Sequence, residues 1–266
     1  MLSKNQLKLI RQLEQAKHRR SQRLFVAEGP KVVGDLLRHG FRPQLLIATD
    51  AWQPQPGAPD SATTSLGGRG SAPSAMTDVQ RVTDEELRRA SFLQHPQQVL
   101  ALFPIPDEPD VPEKPSQLTL ALDGVQDPGN LGTIIRLADW FGIERIYCSR
   151  DTADCWNPKV VQATMGSIAR VHINYCDLPG LLAKADVPVY GTLLDGENLY
   201  TQTLPADRGG IIVMGNEGKG LSPEVRQLVT HRLLIPCYHQ GPDGPESLNV
   251  AIATAIVCAE FRRSGF

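Results

Sequence analysis

From residue 118 onward, short apolar runs alternate with stretches of helical character, and this alternation restricts the fold more than any other feature. The strand-like runs are LTLALD (118–123), RIYCS (145–149), VHINY (171–175), VPVYGT (187–192), GIIVMG (210–215) and RLLIP (232–236), and a last helical stretch spans roughly 247–263. Strands separated by helices pack as a parallel sheet covered on both faces, because each helix must bury an apolar stripe against the sheet. Ligands of such sheets bind beyond the carboxyl ends of the strands. The loops after LTLALD, GIIVMG and RLLIP are therefore the places to look for chemistry.

The alternation has a clear upstream limit. Residues 104–115, PIPDEPDVPEKP, hold five prolines and four acids, a composition that packs no element and reads as a stiff, extended linker. The expected division is a first domain over 1–103, a linker over 104–116 and a second domain over 117–266. Within the first domain, residues 53–75 are rich in Pro, Gly, Ser, Ala and Thr and read as a flexible loop. Leu7, Ile10 and Leu13 recur at helical spacing after a possible Ser3 cap. RLFVAE is strand-like, a helix over 30–39 opens on Pro30, and QLLIA (44–48) is strand-like again. Thr83 with Glu86 three residues later is a capping box, and QQVLALF (97–103) closes the unit. These elements predict a small α/β layer domain.

Hydrophobic residues make up 41% and charged residues 21% of the chain, a soluble globular profile. No apolar run reaches the roughly 18–20 residues of a membrane span. Lys4, Lys8 and Arg11 are followed by no apolar segment, so no secretory signal is expected and the default location is cytoplasmic. The five cysteines are scattered with no C-x-x-C pair, which fits free thiols better than a disulfide scaffold. The six histidines form no H-E-x-x-H and no zinc-spaced cluster, so no metal is expected.

The formal net charge of −2 conceals an asymmetry: residues 1–42 carry ten Lys/Arg against Glu14, Glu28 and Asp35, a local +7 that leaves −9 for the remainder. Such separation either solvates a helix face or attracts a polyanion. Arg19, Arg20, Arg23 and Lys31 are the candidate polyanion contacts.

The loop after LTLALD reads DGVQDPGNLGTIIR. Pro128-Gly129 turns the chain tightly, and Asn130 stands where it can cap the helix beginning near Leu131. Arg136 follows six residues on, and local geometry decides whether it faces the strand ends or solvent. The loop after GIIVMG reads GNEGKGLSPE. It lacks the upstream glycine of a phosphate-cradling G-x-x-x-x-G-K-[ST] and is not G-x-G-x-x-G, which argues against a nucleotide triphosphatase and a dinucleotide-dependent oxidoreductase. What remains is a flexible loop bearing Glu217 and ending in a helix capped by Ser222 with Pro223 first. After RLLIP, Ser247 or Asn249 can cap a final helix that is apolar on several sides and so is buried or packs on a partner.

Together, DGVQDPGNLGTIIRLADWFGI, IIVMGNEGKGLSPEV and IPCYHQGPDGPESLNVAIATAI resemble the three motifs of the SpoU/TrmH group of SPOUT methyltransferases, in their order and at sensible intervals. The stretch between Ile235-Pro236 and Glu246-Ser247 is a few residues longer than in the family. The first domain is similar to the substrate-binding domain these enzymes carry, itself resembling ribosomal RNA-binding proteins, through its opening helix and RLFVAEGPKVV.

The resemblance implies an α/β catalytic domain with a deep trefoil knot, which chain physics alone would not suggest. It also implies a homodimer packed through the knots, and S-adenosylmethionine as methyl donor to a ribose 2′-hydroxyl of structured RNA, foremost ribosomal RNA. Arg136 is implied as the stabilising cation, supported by Asn130, Glu217, Ser247 and Asn249. Guanidinium keeps its proton, so Arg136 is read as a charged holder of the hydroxyl or the adjacent phosphate rather than a base. Cofactor contacts are implied at Thr192, Gly215, Ile235 and Leu248, with Gly191, Gly218, Gly220 and Asn249 nearby. Transfer RNA is the alternative substrate, and an RNA-binding protein without turnover the alternative role. The latter is expected to lack Arg136, Asn130 or Asn249, and all three are present.

Overall fold

The structure, a computed structural model, describes residues 1–53, 78–107, 117–204, 209–239, 243 and 247–263. The expected loop at 53–75 (beyond residue 53) and most of the linker (108–116) lie outside the described residues, as do residues 240–242 and 244–246 of the last long loop. The chain forms two compact units: Met1–Asp107 with Trp156–Ala169, and Glu108–Cys155 with Arg170–Phe266. The segment Trp156–Ala169, which the sequence reading leaves inside the second domain, thus packs with the first unit.

In chain order the first unit holds α1 (Lys4–Gln12), α2 (Ala16–Gln22), β1 (Leu24–Glu28), α3 (Pro30–Arg38), β2 (Leu45–Ala48), β3 (Gln80–Arg81), α4 (Asp84–Ala90) and β4 (Val99–Pro104). The expected caps are in place: Ser3 with Gln6 and Thr83 with Glu86 both close capping boxes. The sheet runs β1-β4-β2-β3, with β4 antiparallel to both its neighbours. Side chains of a strand alternate between faces. Leu24 and Val26 accordingly join Ile10, Leu13, Leu87 and Leu102 in one apolar cluster. Phe25, facing the other way, stacks on Phe103 with centroids 5.7 Å apart and on Trp156 at 4.5 Å. The second face is therefore completed by the later segment, which contributes the short helix α6 (Pro158–Ala163) against β1. Aromatic pairs of this kind add about 0.5–1.5 kcal/mol beyond the area they bury.

The second unit is a six-stranded sheet with strands β5 (Leu118–Asp123), β6 (Arg145–Cys148), β7 (His172–Tyr175), β8 (Val189–Asn198), β9 (Gly210–Gly215) and β10 (His231–Leu234). Every pairing is parallel and the order is β10-β8-β9-β5-β6-β7. Between and after the strands come α5 (Pro128–Trp140), α7 (Leu178–Ala183), α8 (Pro223–Leu228) and α9 (Val250–Arg262). All six residues of β5 are buried, as a central strand covered on both sides requires. The chain proceeds outward from β5 to β6 and β7, whereas β8, β9 and β10 lie on the other side of β5. Their boundary, between β5 and β9, is the topological switch point where such sheets open a crevice. Burial pushes the Cys148 thiol well above its usual range and the Cys258 thiol up to about 12. None of the five cysteines forms a disulfide, and these two stay protonated at neutral pH.

Candidate active site

The loop at the carboxyl end of β5 leads directly into α5. The cap of α5 is Asp127, whose Oδ1 accepts the Asn130 amide at 2.7 Å, with Pro128 as first helical residue. Proline suits that position because its missing N–H would have been unsatisfied anyway. Asn130 is therefore not the cap, and its side chain is available for longer-range bonds. Its Nδ2 donates to Glu217 Oε1 at 2.9 Å and its Oδ1 accepts from Asn249 Nδ2 at 2.9 Å. Asn249 meanwhile caps α9, accepting from the amides of Ala251 (3.0 Å) and Ile252 (3.3 Å). One amide side chain thus joins the loops that follow β5, β9 and β10.

The loop after β9 is tightly built. Asn216 and Gly220 exchange two backbone hydrogen bonds of 2.9 Å. Asn216 Oδ1 accepts from the amides of Gly218 and Lys219, both at 3.0 Å, while its Nδ2 donates to Gly124 O at 2.7 Å. Asp123 Oδ2 accepts from the Ser222 amide at 2.6 Å, and Ser222 caps α8 with Pro223 first, as expected. Any Cβ at Gly215 would fall on the backbone of Gly220, so only glycine lets the loop close this tightly. At Gly191 a Cβ would meet Val229 at 2.6 Å; strand packing explains that glycine without a ligand. Asn216, Asp123 and Ser149, whose Oγ accepts from the Gly124 amide at 2.8 Å, were not among the sequence candidates. An asparagine directly after a buried strand is a turn-forming signal that could have marked Asn216.

The other candidates are spread around this centre. Thr192 is half-buried with its hydroxyl 3.8 Å from Met214 Sδ, Ile235 is half-buried, and Gly218 and Gly220 are exposed. Leu248 is 48% exposed. Ser247 is exposed and its side chain makes no hydrogen bond among the described residues. Arg136 is exposed and unpaired among the described residues, about 9 Å further along the axis of α5 than Asn130 and on a different face of the helix. The structure brings Asn130, Glu217 and Asn249 together and leaves Arg136 and Ser247 outside that network. Leu248 directly precedes Asn249 in the chain.

The basic candidates divide. Arg19 is only 2% exposed, and its guanidinium donates to the carbonyls of Leu13 (2.8 Å) and Glu14 (2.7 Å) at the end of α1. It is a buried clasp between α1 and α2, and the expectation that it contacts a polyanion is corrected. Arg23 is the left-handed cap of α2 and bonds to Ile105 O and Asp107 Oδ1. Lys31 pairs with the buried Asp35 at 2.7 Å. Arg20 is exposed. Arg19→Ala should lower the unfolding free energy by roughly 1.5–3 kcal/mol, the range for hydrogen bonds to a charged group. Arg20→Ala should move it by less than about 0.5 kcal/mol. Denaturant unfolding of the two variants checks this, and equal stabilities would contradict the clasp.

Residues 117–259, which contain every element of this site, match the SpoU rRNA Methylase family. The chain belongs to that family. Residues 4–101 match the MRM3-like substrate binding domain, so this SpoU protein carries a recognisable unit before its methylase region. It is 36% identical over 170 residues to the 23S rRNA (guanosine(2553)-2′-O)-methyltransferase of Bacillus subtilis, covering 63% of this chain and 65% of that protein. The chain thus spans a little under two thirds of that relative. A TrmH-family protein from Porphyromonas gingivalis shares 41% identity with a TM-score of 0.80 over 99% of both chains. An rRNA methyltransferase from Sinorhizobium meliloti, solved with AdoMet bound, shares 31% identity with a TM-score of 0.78, over 99% of this chain and 97% of that one. In this SpoU protein no group of three or more His, Cys, Asp or Glu among the described residues could hold a metal ion. No helix among them is long and apolar enough to cross a membrane.

Proposed function

We propose that this protein transfers a methyl group from S-adenosylmethionine to a ribose 2′-hydroxyl of ribosomal RNA. The observation that carries the reading is the Glu217–Asn130–Asn249 network at the switch point of a parallel sheet. The activity for which the B. subtilis relative is named and the AdoMet held by the S. meliloti structure support it. S-adenosylmethionine, held by the backbone after β9 with Thr192, Ile235 and Leu248, would supply an activated methyl group. The protein's own work is then orientation and electrostatics. Asn130 and Asn249 hold the Glu217 carboxylate in one direction. Arg136, always charged, stabilises the hydroxyl as its proton leaves or clamps the neighbouring phosphate.

Several further features belong to the same proposal. Residues 1–103 recognise RNA, 104–116 link, and 117–266 carry catalysis within a trefoil-knotted fold. The protein acts as a homodimer in the cytoplasm. Trp140 and Ile252 are 84% and 54% exposed on α5 and α9, which pack together. Arg136 stands one helical turn from Trp140, so a second copy seated on this face would bring Arg136 into the interface. Mapping 2′-O-methyl groups in RNA from cells with and without the gene tests the substrate. Loss of a ribosomal site is expected; loss from transfer RNA alone would overturn the substrate assignment, and no loss the whole reading.

A further inference from the structure

By composition alone, the loop that bears Glu217 would hold a carboxylate poorly. Gly215, Gly218 and Gly220 lie within six residues, and glycine carries the largest conformational freedom to be lost. Glu217 itself is exposed and its side chain has one hydrogen bond among the described residues, to Asn130. The neighbouring Asn216 is better anchored. Its side chain spends both ends: the oxygen on the amides of Gly218 and Lys219, the nitrogen on the carbonyl of Gly124. Gly124 is fixed from the other side by Ser149, whose hydroxyl accepts the Gly124 amide and donates to Asp151 Oδ1 at 2.6 Å. A continuous chain of hydrogen bonds therefore runs across the ends of β6, β5 and β9 and terminates in the loop that bears Glu217.

We infer that Asn216 is a positioning residue for the methyl-transfer reaction, aiming Glu217 at Asn130 by seating the loop on Gly124. The inference rests on the functional reading above. The two ends of Asn216 do separate jobs. The oxygen curls the loop upon itself; the nitrogen docks the curled loop against the strand that leads to Asn130. Asn216→Asp keeps the first and abolishes the second, because a carboxylate oxygen facing the Gly124 carbonyl repels it. Asn216→Ala removes both.

The test uses the full chain with S-adenosylmethionine and unmodified transcripts of ribosomal RNA. Asn216→Asp should lower turnover by about tenfold or more, the scale for leaving one buried partner unsatisfied. In a Glu217→Ala background the same change should cost less than about twofold, since residues acting as one unit are not additive. Amide exchange at Gly218 and Lys219, measured without RNA or cofactor, should stay slow in Asn216→Asp and become fast in Asn216→Ala. Equal losses in both backgrounds would overturn the positioning role while leaving the enzyme assignment intact. Fast exchange at both amides in the wild type would overturn it on structural grounds alone. A wild-type protein that transfers no methyl group overturns the functional reading, and the inference with it.

Discussion

Arg136→Ala should lower methyl transfer by a factor of about 100 or more, the scale for removing one electrostatic stabiliser of a developing oxyanion. Arg136 is exposed and has no hydrogen bond or ion pair among the described residues. Its removal therefore disrupts no internal contact, and the variant should fold as the wild type does. Affinity for S-adenosylmethionine should change by less than about threefold, well under the 1.4 kcal/mol that a decade of affinity represents. Arg136→Lys should recover little, because an ammonium lacks the planar fork that holds two oxygens at once. Single-turnover rates with the three proteins check this. Near-normal rates in Arg136→Ala, with RNA bound, would remove the arginine from the mechanism and shift attention to Glu217 and Ser247.

The second large effect is expected at Asn130. Asn130→Asp keeps the size of the side chain and an acceptor for Asn249, but replaces the donor to Glu217 with a second carboxylate. Two carboxylates at hydrogen-bond distance cannot both ionise cheaply, so the pair retains one proton to a higher pH than either alone. At neutral and higher pH the pair is doubly charged, repels, and releases Glu217. Turnover should fall by about 100-fold, comparable to the loss of a preorganised hydrogen-bond donor. As pH falls and the pair takes up its shared proton, the bond re-forms and part of the activity returns. The wild type, with a neutral amide at 130, should lack this acid-side recovery. A pH–rate profile of Asn130→Asp parallel to the wild type would show that the Asn130–Glu217 contact has no part in turnover.

Which parts of this architecture can be read from sequence follows from how locally each is encoded. β5 and β9 are legible in the sequence because they are apolar along their length, the pattern of strands buried on both faces, whereas β8 continues to Asn198, past the expected end at 192, through mostly exposed residues. The start of α5 lies at Pro128 rather than near Leu131, because Asp127-Pro128-Gly129-Asn130 offers two caps. Proline at the first helical position decides for Asp127, and that decision frees Asn130. The burial of Arg19 was not legible: charge counting treats every arginine as solvated, and only the fold reveals one turned inward onto the carbonyls at the end of α1. The placing of Trp156–Ala169 with the first unit is equally hidden, since Trp156 meets Phe25 across nearly half of the chain. Asn130 and Asn249 are 119 residues apart. Their meeting is encoded in no local pattern, and only the family resemblance of the three loops foretold it.

Product analysis distinguishes methyl transfer to ribose from transfer to a base. The protein is incubated with methyl-labelled S-adenosylmethionine and unmodified ribosomal RNA transcripts, and the RNA is digested to nucleosides and resolved by mass spectrometry. The label is expected in a single 2′-O-methylnucleoside, lost in Arg136→Ala and in Asn130→Asp at neutral pH. Label on a base, or no label in RNA that the protein demonstrably binds, would contradict it.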